Sequence, residues 1–380
     1  MPVKQNLRIG IDCRLAGNQH AGIGRYTENL VRELLELTKA EALKQRITWV
    51  LFFFDQKQAR QVLGPLRNQE NLEVRLMPVK HYGLAEQITG PSYFQAAHLD
   101  LLHVPHFNIP IFYRGKLVIT IHDLLWHEQR GRNVTTLNPI LYSIKYRAYL
   151  WGTKIAVNRA LKIFVPSKTI QNTILKYYPL VNKKILISKE GISDIYRQEI
   201  SKRFVKKNVR KQFVYTGSLY PHKNLKLVFC SLRKLPKYHL YIVGSRNVFR
   251  ERMKVLVSRF KVKQQVSFLG RLSDEELIRL YQDSLAAIQP SLSEGFGLTG
   301  LEAMASKTLL LASDIPVFHE IYKDSAFYFD PKDSESFVEA VHQAEIADRL
   351  PKIKAAAQLA ATYSWHQMAK ESLKAYLEVA

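Results

Sequence analysis

Short apolar runs rich in β-branched residues recur along this 380-residue chain, and between them the apolar positions shift to helical spacing. LRIGID, ITWVLFFF, LEVRLMP, LLHVP, KLVITIHD, KIFVPS and KILISKEGI fall in the first half; QFVYTGS, HLYIVGS, VSFLGR, LAAIQPS and TLLLAS follow in the second. Strands with no polar face must be covered on both sides, and a helix after each strand is how a parallel sheet acquires that cover. A single hydrophobic core stops growing near ~250 to 300 residues. The succession of strands is also interrupted by the polar, basic stretch RQEISKRFVKKNVRKQ, near residues 197–211. The expected fold is therefore α/β, with two doubly wound domains over residues 1–197 and 198–362. After FYFDP the chain reads as helical to its end, and Trp365, Met368, Leu373, Tyr376 and Leu377 set a last helix within 363–380.

Composition excludes several classes. The longest apolar runs are far short of the ~20 residues a membrane-spanning helix requires. The opening MPVKQNLRIGID lacks the long apolar region of a secretory signal. Cys13 and Cys230 are too far apart in sequence for a zinc pattern or a disulfide framework, as expected in a reducing compartment.

The formal charge of +23 is the one extreme, and it concerns partners rather than fold. Between Glu128 and Glu190 no acidic residue occurs, while Arg130, Arg132, Lys145, Arg147, Lys154, Arg159, Lys162, Lys168, Lys176, Lys183, Lys184 and Lys189 all do. Nucleic acid, an anionic membrane surface or a phosphorylated acceptor would be drawn to such a stretch, and a merely solvated face has the same composition.

The motif most informative about chemistry is SLSEGFGLTGLEAMAS, which follows the strand LAAIQPS and leads into a helix expected to begin near Thr299 or Gly300. Gly295, Gly297 and Gly300 permit unusual backbone angles and close ligand approach, and a helix start offers free N–H groups and positive partial charge. Together they form a cradle for a diphosphate. Glu294 and Glu302 bracket this loop and can accept hydrogen bonds from sugar hydroxyls; a lone Glu302 would otherwise read as a surface or capping carboxylate. In YTGSLYPHKN, Lys223 follows a Gly and Pro turn after the second domain's first strand, as a phosphate ligand or as an ordinary solvated lysine. In AGIGRYTENL, Gly22 and Gly24 follow the opening strand, and Arg25 and Tyr26 are expected to begin a helix. This is half of a dinucleotide fingerprint; the third glycine is missing. LVITIHDLLWH ends a buried strand in His122 and Asp123, where ligands meet such sheets, although a histidine there can equally be structural.

Glu, seven residues and Glu around GFGLTGL resemble the signature of glycosyltransferase family 4, retaining enzymes whose fold is called GT-B. The resemblance implies two Rossmann-like domains facing a cleft, with the C-terminal helix returning to the first. It assigns Glu294 to hydroxyls of the donor sugar, Glu302 to the ribose, and the backbone of Gly295, Phe296, Gly297, Leu298 and Thr299 to the diphosphate. Lys223 becomes the ligand of the departing phosphate, with Glu294 and His122 at the reacting sugar. Gly22, Gly24 and Arg25 become donor contacts. The arginine that many relatives place after the first-strand glycine is Ser218 here, which leaves Arg271 as its expected substitute. Thr299 stands where relatives have Pro, and Ser306 and Lys307 where they have Cys and Gly, so the subfamily is left open.

The implied enzyme moves a hexose from a nucleotide-diphosphate sugar to a glycan or lipid-linked acceptor, with no cofactor and no metal site. GIGRY, TIHD and PHKN look most like mannosyltransferases, so GDP-mannose is the expected donor. Residues 81–113 lack Lys and Arg and are rich in Tyr, Phe, Leu and Ile. They read as core for the most part, or as an apolar rim for peripheral docking at the inner, cytoplasmic face of an anionic membrane. One rival is a basic α/β protein binding nucleic acid through Tyr142, Tyr146, Tyr149 and Trp151; it leaves the glutamate and glycine constellation unexplained, so no nucleic acid is expected. Another is an epimerase or phosphorylase on the same fold.

Overall fold

The computed structural model describes residues 6–17, 21–39, 46–128, 138–203, 209–244 and 249–380. Arg130 and Arg132 of the basic run, and part of the basic stretch before the second domain, lie outside the described residues. Two compact units result, one from Met1–His127, Leu137–Glu190 and Trp365–Ala380, the other from Glu128–Thr136 and Gly191–Ser364.

The first unit carries seven strands: β1 Leu7–Asp12, β2 Ile47–Phe53, β3 Leu72–Leu76, β4 Leu101–Val104, β5 Leu117–Thr120, β6 Lys162–Val165 and β7 Ile185–Ile187. The second carries six: β8 Arg210–Thr216, β9 His239–Val243, β10 Val266–Gly270, β11 Ser284–Gln289, β12 Leu309–Ser313 and β13 Phe327–Phe329. The sheets run β3-β2-β1-β4-β5-β6-β7 and β10-β9-β8-β11-β12-β13, every pair parallel. Both are thus doubly wound α/β sheets, as the alternation implied. All twelve sequence runs supply strands, and β13 comes from FYFDP, too short a run to read as one.

In each sheet the order reverses beside the first strand, between β1 and β4 and between β8 and β11. At such a switch point the loops leave the two carboxyl ends in opposite directions and open a crevice for ligands.

The helix Asp194–Ser201, which includes the start of the basic stretch, belongs to the second unit, where its polar side chains bond. Gln282 Nε2 donates to Glu199 Oε1 at 2.7 Å, and Tyr196 Oη donates to Asp274 Oδ1 at 3.4 Å. The last helix, Trp365–Val379, packs in the first unit. Its Trp365 meets Tyr26 edge-on and its Tyr376 meets Trp49 the same way, with the rings buried. Burying aromatic rings of this size accounts for most of what holds such a helix in place. Tyr376 Oη also lies 2.6 Å from Nδ1 of His103, whose Nε2 meets Thr120 Oγ1 at 2.9 Å. Burial, with His122 nearby, pushes His103 down to about 3, so it is a neutral packing histidine.

Candidate functional site

In the second unit the two loops at the switch point are tied together. Leu292 N donates to the His222 carbonyl at 2.8 Å, joining the loop after β11 to the loop after β8. That link sets Lys223 Nζ 2.5 Å from Glu294 Oε1, and Ser291 Oγ donates to the same oxygen at 2.7 Å. Burial alone would raise the Glu294 carboxyl; the charge and hydrogen bond of Lys223, with His222 and Ser291, hold it below the usual carboxylate range. A cation suited to a leaving phosphate and an acceptor suited to sugar hydroxyls therefore stand side by side. Asn224, in the left-handed region at φ 57°, closes this turn and donates its side-chain amide to the Pro331 carbonyl at 2.8 Å.

The helix after the glycine loop runs Leu298–Ala305, beginning a residue or two ahead of the expected Thr299 or Gly300. Gly297, at φ 99°, ends the loop, and its carbonyl accepts a hydrogen bond from Tyr322 Oη at 2.6 Å. A Cβ at Gly297 or Gly300 would stand only 2.2 or 2.3 Å from that same oxygen. These two glycines are thus demanded by the tyrosine packed beneath them, in addition to any ligand above. Phe296 is buried edge-on against Tyr363, and Leu298 is buried as well, so both offer the cradle only backbone. Gly295 lies between Glu294 and this anchor. Thr299 Oγ1 accepts from Gln289 Nε2 at 2.5 Å, tying the helix start to the end of β11. Glu302 is 2% exposed within the helix's second turn, which makes it an interior group and not a surface carboxylate.

Two expected donor contacts stand apart. Ser218 turns its carbonyl to Tyr215 Oη, from which it accepts at 2.5 Å. Arg271 is exposed at the end of the edge strand β10, with β9 between it and β8. Two strand spacings are about 10 Å, and among the described residues no contact joins Arg271 to Lys223 or Glu294.

In the first unit the helix runs Ala21–Leu37, so Gly22 and Gly24 lie in its first turn instead of on the preceding loop. This corrects the expectation that Arg25 and Tyr26 begin it. Gly24 is set by packing: a Cβ there would fall 2.0 Å from the Gly17 carbonyl oxygen, because that turn lies directly against the helix. Gly22 has open space at its Cα, and Arg25 is half-buried on the same turn. His122 follows β5, with Nε2 3.3 Å from the Pro105 carbonyl, Nδ1 3.5 Å from Glu190 Oε1 and the edge of Tyr26 against its ring. Asp123 accepts from Leu125 N at 3.1 Å and so opens the short helix Leu125–Glu128.

Sequence reasoning missed Glu190 and a buried network at the first switch point. The signal for Glu190 was present, since it is the carboxylate that ends the acid-free run. The network had no local signal. Arg14 Nη2 bonds Asp12 Oδ2 at 2.6 Å and Glu86 Oε1 at 2.8 Å; Glu86 Oε2 accepts from Tyr82 N and Asn108 Nδ2. His81 Nδ1 lies 2.8 Å from Glu86 Oε1. Burial would raise Asp12 and Glu86, but Arg14 and His81 hold both low, and the carboxylates in turn hold Arg14 charged against burial. Asp12, His81 and Glu86 carry ligand-type atoms within 4.8 Å of one another, and Arg14 supplies the positive charge among them.

Residues 196–359 match the family model for glycosyl transferases group 1. The chain is 27% identical over 332 residues to the O-antigen chain mannosyltransferase RfbU of Salmonella typhimurium, covering 87% of this chain and 88% of that protein. It is 28% identical over 378 residues to the O-antigen chain mannosyltransferase B of Escherichia coli, covering 93% and 95%. The crystal structure of a glycosyltransferase from Rickettsia africae superposes with a TM-score of 0.69 at 17% identity, over 99% of each chain. The family match thus falls on the part of the chain that carries Lys223, Glu294 and Glu302, the two mannosyltransferases are similar over nearly the whole chain, and both sheets have their counterpart in GT-B glycosyltransferase structures.

Proposed function

We propose that this glycosyltransferase moves mannose from GDP-mannose, with retention of anomeric configuration and without a metal ion, onto a glycan or lipid-linked acceptor of a cell-surface polysaccharide, on the cytoplasmic side of the membrane. The observation that carries the reading is the Lys223–Glu294 pair at the second switch point, directly before the glycine loop and helix start. The mannosyltransferases among its relatives support the choice of sugar.

As the glycosidic bond breaks, negative charge gathers on the departing diphosphate. Lys223 and the free N–H groups at Leu298–Thr299 face that charge before it forms, which lowers the barrier more than it tightens the ground state. Glu294 holds donor-sugar hydroxyls and the buried Glu302 holds the ribose. The acceptor hydroxyl attacks on the face the phosphate leaves, and its proton passes to a phosphate oxygen.

Thermal unfolding with GDP, UDP, ADP and their sugars, in EDTA, tests the donor. Stabilisation of about 2.7 kcal/mol at a hundredfold excess over the dissociation constant, by guanine nucleotides alone and lost in Glu302→Ala, is the expected result. Stabilisation by uridine nucleotides alone would refute GDP-mannose. NMR of the product linkage tests retention, and transfer abolished by EDTA would refute the metal-free reaction.

A further inference from the structure

The helix Pro139–Arg159 is apolar on two sides. Its inner side holds Thr153, Ala156 and Val157, buried in the first unit, with Tyr142 and Tyr149 against Trp126. On the outer side Ile140 is 77%, Ile144 62% and Trp151 58% exposed. The spacing places Ile140, Ile144, Arg147, Trp151 and Lys154 in one stripe at i, i+4, i+7, i+11 and i+14, with Leu141 and Lys145 exposed beside it. A helix that needed only to cover a sheet would carry polar residues there. This one exposes large apolar side chains interleaved with cations, and from Asn138 to Lys189 no acidic residue offsets them. No helix among the described residues is long and apolar enough to cross a membrane.

We propose that the outer stripe of Pro139–Arg159 lies flat in the headgroup region of an anionic lipid bilayer, with Ile140, Ile144 and Trp151 inserted and Lys145, Arg147 and Lys154 against lipid phosphates. At 1.5 Å per residue the 21-residue helix offers about 30 Å of contact. Apolar insertion and charge attraction act together in such helices, and neither alone holds a protein firmly. Charge complementarity selects the lipid surface over a second copy of this chain, whose identical stripe would bring the same cations into opposition. The inference is independent of the donor reading and is tested without nucleotide.

The test is partitioning of the full chain onto phosphatidylcholine vesicles with and without phosphatidylglycerol. Binding should require the anionic lipid and fall with salt. The triple change Lys145→Gln, Arg147→Gln and Lys154→Gln should weaken it about a hundredfold, since each cation near such a surface is worth a factor of about five. Ile144→Ser and Trp151→Ser should each cost about tenfold, while Lys254→Gln, exposed on the second unit, should change nothing. Brominated lipid should quench tryptophan fluorescence in the unaltered protein, and that quenching should be lost in Trp151→Phe, which keeps an aromatic side chain and leaves the other three tryptophans in place. Partitioning that ignores both sets of changes, or that is absent from every vesicle, overturns the proposal. So does a dimer that Ile144→Ser dissociates while vesicle binding stays the same.

Discussion

Two sheets with the same strand order around the same kind of switch point are furnished by opposite means. In the second unit Lys223 and Glu294 lie on short loops leaving β8 and β11, and the loop that carries Glu294 runs straight into the cradle. In the first unit the charged centre joins Asp12, Arg14, His81, Glu86 and Asn108, collected from three separate stretches of chain, and His122 meets a carboxylate 68 positions away. One edge is written as a motif; the other is assembled. A motif of contiguous residues is hard to change without losing the whole, whereas an assembled edge can vary piece by piece.

The comparison breaks most sharply at Lys223. Lys223→Ala should lower kcat by about 10³, as loss of a charge-stabilising donor does elsewhere. Steady-state transfer assays check this, and a loss confined to KM would remove the leaving-group role. Arg14→Met should do the reverse, costing about 3 to 5 kcal/mol of stability because Asp12 and Glu86 stay buried without their cation. Urea unfolding measures it, and an unchanged midpoint would mean the network is ornamental.

Acid sharpens the contrast further. Asp12, Glu86 and Glu294 are all held below their unfolded values, so their contribution to stability is complete above about pH 4.5 and is lost as pH falls through the lowered folded values. The urea midpoint should therefore drop steeply below pH 4.5, and less steeply in Glu294→Gln. The smallest effect is expected at Glu190→Gln. If Glu190 only orients His122, kcat falls about tenfold at unchanged donor KM, and Glu190→Asp recovers part of it.

The strands were legible because each is an apolar run of a few residues, and β13 escaped because three residues carry no period. The glycine loop was legible for the same reason of locality, although two of its three glycines, Gly297 and Gly300, are also demanded by Tyr322, which the motif does not contain. Gly24 is similar: it reads as a ligand glycine and is held by the Gly17 turn. The helix start at Ala21 was misplaced because glycines argue against helix in isolation, and only packing against that turn explains Gly24 inside it. Arg14 and Glu86 could not be paired in advance, since nothing in a sequence says which distant charges will be buried together.

By itself, then, the sequence determined what depends on neighbours along the chain: two parallel sheets, the order of strand and helix, the glycine loop at a helix start and its flanking carboxylates. The tertiary structure decided what depends on neighbours in space, namely that Lys223 pairs with Glu294, that Glu190 meets His122, that Arg14 neutralises two carboxylates and that one helix turns isoleucine and tryptophan outward. Periodicity and turn chemistry act over a few residues, whereas burial and charge pairing act over a few ångströms regardless of separation along the chain.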